Sequence, residues 1–135
     1  MLRQLTDVII EKGARDRLAL AESGKSQSKV TIQYMAQELE KRYARRAAIQ
    51  TVPALTGNDG LGSFDAFIGH LQQLTNIDYL VAASHQEFVG MFPNYFSIKF
   101  FNKTVPCELS LPNSCGYFID MQTSVVQQIP SERKV

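Results

Sequence analysis

His70 and His85 are the only histidines in the sequence, and they are its best candidates for acid–base chemistry near neutral pH. Neither has a Glu, Asp or His three or four residues further on, as a metal site on one helix face would require. The sequence contains no Gly-x-Ser-x-Gly motif, and its carboxylates are scattered rather than paired for general acid–base work. We therefore predict a non-catalytic protein with no metal site and no cofactor.

The tripeptide Gly24-Lys25-Ser26 is similar to the end of a phosphate-binding loop, in which backbone N–H groups surround a phosphate. The full pattern requires a further glycine at position 19, and that residue is Ala19. The pattern also requires a strand ahead of the loop, whereas the apolar spacing of residues 2–22 predicts a helix. We therefore interpret Gly24-Lys25-Ser26 as an ordinary loop.

Cys107 and Cys115 are the only cysteines, and the residues between them include Pro112 and Asn113, which favour a turn. A hairpin at this turn would bring the two Cα atoms within disulfide range, about 4.4–6.8 Å. Two cysteines alone cannot form a zinc site. We predict a Cys107–Cys115 disulfide in an oxidising compartment and two buried thiols in the cytosol.

Aromatic residues are concentrated between residues 88 and 118. If Tyr95–Phe101 is a strand, alternation places Tyr95, Ser97 and Lys99 on one face and purely apolar residues on the other. The apolar face belongs to a core. The mixed aromatic and polar face is typical of a ligand pocket or a protein interface. We predict that Tyr95, Ser97 and Lys99 bind a ligand.

Charge is distributed unevenly along the chain, although the net charge is only +1. Residues 1–50 contain ten Lys and Arg against six Asp and Glu, whereas residues 51–135 contain four against seven. The small net charge and the lack of a helix-turn-helix pattern argue against a nucleic-acid partner. One basic cluster is typical of a solvated helix face, or of contact with an anionic ligand, an acidic partner or lipid headgroups. It consists of Lys41, Arg42, Arg45 and Arg46.

The spacing of apolar residues changes along the chain and predicts an α+β fold in a single domain, residues 1–135. A helical region over 1–52 and a further helix over 61–75 follow from apolar residues at three- and four-residue spacing. An antiparallel sheet of about five strands over 77–127 follows from short aromatic or β-branched runs separated by turn residues. The runs are Ile77–Ala83, Glu87–Phe92, Tyr95–Phe101, Val105–Leu111 and Gly116–Met121. We expect the long N-terminal helices to pack on one face of this sheet.

Four segments, in their order along the chain, are similar to elements of a known family. They are Arg46–Leu55 at the end of a long helix, Phe64–Leu74 in a shorter helix, Ile77–Ala83 in a first strand and Gly116–Gln122 in a last strand. Together they resemble the PAS-like sensor domains of bacterial signalling receptors, often called Cache or PDC domains. The resemblance covers nearly the whole chain.

The resemblance implies an extracytoplasmic domain that senses a small-molecule ligand or a protein partner and transmits the signal through its N-terminal helix. It implies a pocket formed by Tyr79, the turn at His85 and the strand Tyr95–Phe101. It also implies a periplasmic location and a membrane-anchored parent protein, although no apolar run here approaches the roughly 18–20 residues that span a bilayer. The amphipathic helix at residues 30–50 is a candidate for pairing in a homodimer.

Two other functions remain open at the level of sequence. The chain fits a cytoplasmic protein–protein interaction module of the adaptor, chaperone or immunity type, and free thiols at Cys107 and Cys115 would favour that function. A small enzyme is the third option, and it would require His85 beside an acidic or thiol group.

Overall fold

The computed structural model describes residues 2–13, 17–106 and 116–129 of the chain. Helix α1 (Leu2–Gly13) is the first element. The chain divides into two compact units. They are the parallel-sheet unit, Ile9–His85, and the hairpin unit, Met1–Val8 with Gln86–Val135.

A three-stranded parallel sheet is the centre of the parallel-sheet unit. Its strands are β1 (Leu18–Glu22), β2 (Ala48–Thr51) and β3 (Tyr79–Ala82). Strand β1 lies in the middle, with Leu20 opposite Ile49 of β2 and Val81 of β3. Every residue of β1 is buried, which explains why its sequence is a nearly continuous apolar run rather than an alternating one.

Helix α2 (Ser26–Tyr43) connects β1 to β2. Ile32, Met35 and Leu39 recur at three- and four-residue spacing, and all three are buried. The helix begins directly after Lys25, and no side chain caps its first turn. The N–H groups of the first turn therefore have no side-chain acceptor. This turn lies directly after the central strand β1.

Helix α2 is followed by its C-cap residue Ala44, whose φ of 53° lies in the left-handed region. That conformation costs an L-residue about 1–2 kcal/mol and costs glycine almost nothing. We expect Ala44→Gly to raise the free energy of unfolding by about 0.5–1 kcal/mol, because glycine's greater freedom in the unfolded chain offsets part of the gain. Ala36→Gly, inside the same helix, is the control and should lower it by about 1 kcal/mol. Urea unfolding measures both changes, and a loss of stability in both variants would contradict this account of the helix end.

The second connection of the unit leads from β2 to β3 through a 3₁₀ turn (Pro53–Thr56) and helix α3 (Leu61–Gln73). Phe64, Phe67 and Ile68 form the buried side of α3. Because all three strands are parallel, their carboxyl ends lie at the same edge of the sheet. The segments that follow the strands therefore meet at that edge.

The hairpin unit combines a long helix with a two-stranded antiparallel sheet. Its main elements are α4 (Gln86–Phe101), β4 (Gly116–Asp120) and β5 (Val125–Ile129). Phe88, Phe92 and Phe96 are buried along α4 at a four-residue spacing. The ring centroids of successive pairs lie 5.1 and 5.7 Å apart, so the three rings form one aromatic row on the buried side of the helix.

The predicted antiparallel sheet of about five strands is wrong. The runs Glu87–Phe92 and Tyr95–Phe101 form the single helix α4, and the region 1–52 contains β1 and β2 as well as helices. In α4 nearly every second position is apolar, as in a strand, and so is nearly every fourth, as in a helix. The spacing of apolar residues therefore cannot distinguish a strand from a helix in this segment. Pro93, expected in a turn, lies inside the helix. The observed fold is α+β with a parallel three-stranded sheet and a separate antiparallel hairpin.

Two further predictions concern the region around residue 107. The predicted Cys107–Cys115 disulfide lies outside the described residues, as does most of the strand predicted at Val105–Leu111.

Within the described ranges, no helix is both long enough and apolar enough to cross a membrane.

Candidate functional site

An open pocket of about 380 Å³ lies at the carboxyl edge of the parallel sheet. Open α/β sheets bind ligands at this edge, where the connections from neighbouring strands run in opposite directions and leave a crevice. Segments that follow all three strands contribute to the pocket, and every lining residue is polar. The lining residues are Lys25, Ser26 and Gln27 after β1, Thr56 and Asn58 after β2, and His85 after β3.

The segment after β2 is held in place by short-range hydrogen bonds. The Thr56 hydroxyl donates to the carbonyl of Pro53 at 2.9 Å and accepts from the backbone N–H of Asn58 at 3.4 Å. The Ser84 hydroxyl donates to the carbonyl of Leu55 and so ties this segment to the one that follows β3. The walls formed by Thr56, Asn58 and His85 are therefore fixed to one another as well as to the sheet.

Glu22, the last residue of β1, anchors the loop that leads to Lys25. Its side chain is buried, and its two oxygens accept hydrogen bonds from the Thr51 hydroxyl and the Gly24 N–H, each at 2.5 Å. The Thr51 hydrogen bond, assisted by the Gly24 N–H and the positive charge of Lys29, lowers the pKa of Glu22, and burial only partly opposes this. An ionised carboxylate thus joins the ends of β1 and β2 and shapes the turn before Lys25.

The lowered pKa makes the contribution of Glu22 to stability dependent on pH. Its contribution is present above the unfolded-state pKa, about 4.3, and is lost as the pH falls through the lower folded-state pKa. We expect Glu22→Gln to be less stable than the wild type at pH 6, with the difference in unfolding free energy shrinking by pH 3. Urea unfolding at both pH values measures this difference. Thr51→Val should reduce the pH dependence of stability in the same way. If the wild type and Glu22→Gln differed in unfolding free energy by the same amount at both pH values, the ionised Glu22 would not be the source of the pH dependence.

Ser23, Ser28 and His85 form a hydrogen-bonded cluster behind the pocket wall. The Ser23 hydroxyl lies 2.6 Å from the Ser28 hydroxyl and 3.0 Å from Nε2 of His85, and it accepts from the Lys25 N–H at 3.2 Å. The Ser28 hydroxyl accepts from the Ser23 N–H at 2.9 Å and lies 3.1 Å from the carbonyl of Lys25. A serine beside a histidine is also the arrangement of an activated nucleophile, so the proton positions decide its role.

Each hydroxyl has one proton to donate, and this fixes the direction of every bond in the cluster. Ser28 must donate to the Lys25 carbonyl, because a carbonyl can only accept. Ser23 must then donate to Ser28, and with the Lys25 N–H already bound its remaining lone pair accepts a proton. All five contacts are hydrogen bonds at once only when Nε2 of His85 is protonated and donates to Ser23.

This proton arrangement favours ligand binding over nucleophilic catalysis. A general base must accept the serine proton, whereas in this arrangement Nε2 of His85 is the donor to Ser23. Ser23 is also only 3% exposed. The cluster instead fixes the ring of His85 in the pocket wall and leaves Nδ1 as the nitrogen available for a ligand.

The residues predicted to bind a ligand are divided between the two units. Tyr79 and His85 belong to the parallel-sheet unit, with Tyr79 at the start of β3 and His85 beyond its end. Tyr95, Ser97 and Lys99 belong to the hairpin unit and lie on α4, not on a strand. Lys99 and Tyr95 are one helical turn apart, and the ammonium lies 5.6 Å from the ring centroid. Of this group, His85 lines the pocket at the sheet edge.

Sequence reasoning missed most of the pocket, although one signal for it was visible. The missed residues are Lys25, Ser26, Gln27, Thr56 and Asn58. Gly24-Lys25-Ser26 stood out as similar to part of a phosphate-binding loop, and the strand that this pattern requires is present as β1. The other histidine, His70, lies 2.8 Å from Oε1 of Gln50 through Nε2 and does not line the pocket.

Comparisons with known proteins give this site no precedent. No protein-family model matches the chain, and neither a curated protein nor a solved structure is found to be similar. Among the described residues, no group of three or more His, Cys, Asp or Glu side chains is placed to hold a metal ion. The function is therefore argued from the geometry of the pocket.

Proposed function

We propose that the parallel-sheet unit binds a small molecule carrying a phosphate group in the pocket at its sheet edge, without transforming that molecule. The observation that carries the proposal is the convergence of polar residues from all three strand ends on one pocket of about 380 Å³. That volume is within the range of small-molecule sites, roughly 300–1,000 Å³. The location is where open α/β sheets bind their ligands.

The chemistry of the pocket favours an anion. In the described part of the chain, the Lys25 ammonium has no carboxylate partner, so its charge is available to a ligand. Ser26 and Gln27 open helix α2, whose first turn has no side-chain cap and whose dipole places partial positive charge there. A helix start that combines N–H donors with a lysine is well suited to a phosphate.

The other lining residues of the pocket support a phosphate ester rather than a bare ion. Thr56, Asn58 and His85 supply a hydroxyl, an amide and an imidazole nitrogen to the same pocket. The Thr56 hydroxyl donates to Pro53 and can only accept from a ligand, whereas the Asn58 amide can both donate and accept. These groups suit hydroxyls or carbonyls of the part of a ligand that bears no charge. A sugar phosphate could place its anionic group at Lys25 and its hydroxyls at Asn58 and His85, and so use both sets of groups.

Backbone NMR of the full chain tests this proposal. We expect ribose 5-phosphate to shift the amide signals of Gly24–Gln27 and Asn58, and inorganic phosphate to shift those of Gly24–Gln27 alone. Ribose is the control ligand and should leave both sets unchanged, because it lacks the anion. Equal shifts with ribose would overturn the phosphate assignment, and no shift with any of the three compounds would overturn the site.

The sensing function predicted from the sequence stays a prediction, and ligand binding is the part that our proposal shares with it. The periplasmic location, the membrane-anchored parent protein and the homodimer likewise stay predictions, as does the alternative of a cytoplasmic interaction module. An interaction module would give a flat response to the phosphate series, together with a large partner-dependent rise in melting temperature.

A further inference from the structure

The pocket at the sheet edge contains a histidine whose hydrogen-bonding direction is already fixed by a bond within the protein. Nε2 of His85 lies 3.0 Å from the Ser23 hydroxyl and donates to it. Among the described residues, Ser23 is the only hydrogen-bond partner of the His85 ring. A neutral imidazole carries one proton, so Nδ1 has a lone pair and can only accept. His85 therefore offers a ligand an acceptor and no donor.

The Thr56 hydroxyl is restricted in the same direction. It donates its one proton to the carbonyl of Pro53 at 2.9 Å and accepts from the Asn58 N–H at 3.4 Å. One lone pair of its oxygen remains for a ligand. Thr56 and His85 both line the pocket, and neither is buried. Together the two side chains present two acceptors to the uncharged part of a ligand.

We infer that the pocket is specific for a phosphate ester whose uncharged part donates hydrogen bonds, a phosphorylated polyol, and that His85 determines this specificity. The inference rests on the proposed phosphate function and names the class of ester. A ligand hydroxyl can donate to Nδ1 of His85 or to Thr56. A carbonyl, ether or carboxylate oxygen has only lone pairs, so it displaces water from these acceptors without replacing the hydrogen bond. The Asn58 amide suits either kind of ligand and does not select between them.

Ser28 is a positioning residue for this specificity, because it sets where the ring proton of His85 lies. Its hydroxyl accepts the proton of Ser23 at 2.6 Å, which leaves Ser23 a lone pair for the Nε2 proton. Without the Ser28 hydroxyl, Nε2 of His85 is the remaining partner of Ser23 that can accept a proton, since the Lys25 N–H only donates. The ring proton then moves to Nδ1, and the nitrogen offered to a ligand changes from an acceptor to a donor.

Isothermal titration calorimetry of the full chain with glycerol 3-phosphate and dihydroxyacetone phosphate tests the specificity. At pH 8 the two esters carry the same charge, and they differ in one group, which is a hydroxyl in the first and a carbonyl in the second. We expect glycerol 3-phosphate to bind about five- to tenfold more tightly, because the carbonyl leaves one acceptor of the pocket unpaired. Equal affinities would overturn the inference and leave the phosphate proposal intact. No binding of either ester or of inorganic phosphate would overturn both.

Ser28→Ala tests the role of the ring proton. We expect this variant to lose the preference for glycerol 3-phosphate and to bind inorganic phosphate as the wild type does, which also shows that it is folded. The NMR chemical shifts of the His85 ring nitrogens should show the proton on Nδ1 instead of Nε2. Thr31→Ala is the control, because its hydroxyl donates to the Gln27 carbonyl at 3.1 Å on the same helix and does not line the pocket. It should keep the wild-type preference.

Two results with Ser28→Ala would contradict the inference. An unchanged preference for glycerol 3-phosphate after the proton has moved would overturn His85 as the residue that determines specificity. A proton that stays on Nε2 would overturn the positioning role of Ser28.

Discussion

Leu20→Ala is expected to lower the free energy of unfolding by about 3–4 kcal/mol. Leu20 is in the middle of the central strand and is 0% exposed, between Ile49 of β2 and Val81 of β3 in the sheet register. Truncation removes the buried methyl groups and leaves a cavity that rigid flanking strands cannot close, so the cost exceeds the transfer free energy alone. Urea denaturation of the wild type and the variant gives the difference.

Leu61→Ala removes the same atoms from the surface and is the matched control. Leu61 is 58% exposed at the start of α3, so its truncation should cost less than about 1 kcal/mol. If the two variants lost equal stability, β1 would not be the centre of the core. The comparison therefore tests the parallel sheet directly, because a solvent-facing helix over residues 18–22 would make the two substitutions equivalent.

The sequence predicted local elements better than it predicted their pairing. Helix α3 occupies Leu61–Gln73 within the predicted 61–75, and β3 lies inside the predicted run Ile77–Ala83, because their periodicity and turn residues are clear. Strand β1 is buried on both faces and lacks the alternation that identifies a strand. Its pairing with β3 joins residues about sixty positions apart, and such pairing leaves no periodic signal in a single sequence.

The same reason explains why the pocket was largely missed. Lys25, Asn58 and His85 are far apart in the sequence and meet only because three parallel strands end at one edge. Each has an ordinary local environment: a helix start, a turn and a loop. His85 could be selected because histidines are rare in this sequence. Lys25 could not, because Ala19 stands where the phosphate-loop pattern requires glycine and the preceding residues predict a helix. The residue types indicated which groups could bind a ligand. Only the order of the strands in the sheet brings those groups together in one pocket.

Lys25→Met is expected to weaken the binding of ribose 5-phosphate about 10- to 100-fold, as the loss of a charge-assisted hydrogen bond in a partly enclosed pocket implies. Among the described residues that line the pocket, Lys25 is the only one with a permanent charge. No other lining residue can therefore replace its ammonium. Methionine keeps most of the side-chain length, and the exposed position makes folding of the variant insensitive to the change. Isothermal titration calorimetry at fixed ionic strength gives both dissociation constants.

The control is Lys41→Met, which removes the same charge from the other end of α2, where the side chain is exposed. A purely long-range attraction of the anion would be screened by salt, so raised salt would abolish the difference from the wild type. A direct contact affects Lys25→Met far more than Lys41→Met, and much of that gap persists at high salt. Equal affinities in both variants would therefore count against the lysine at the start of α2 as the phosphate contact. The phosphate proposal would then rest mainly on the shape of the pocket. An uncapped helix start attracts an anion more weakly than an ammonium held beside it.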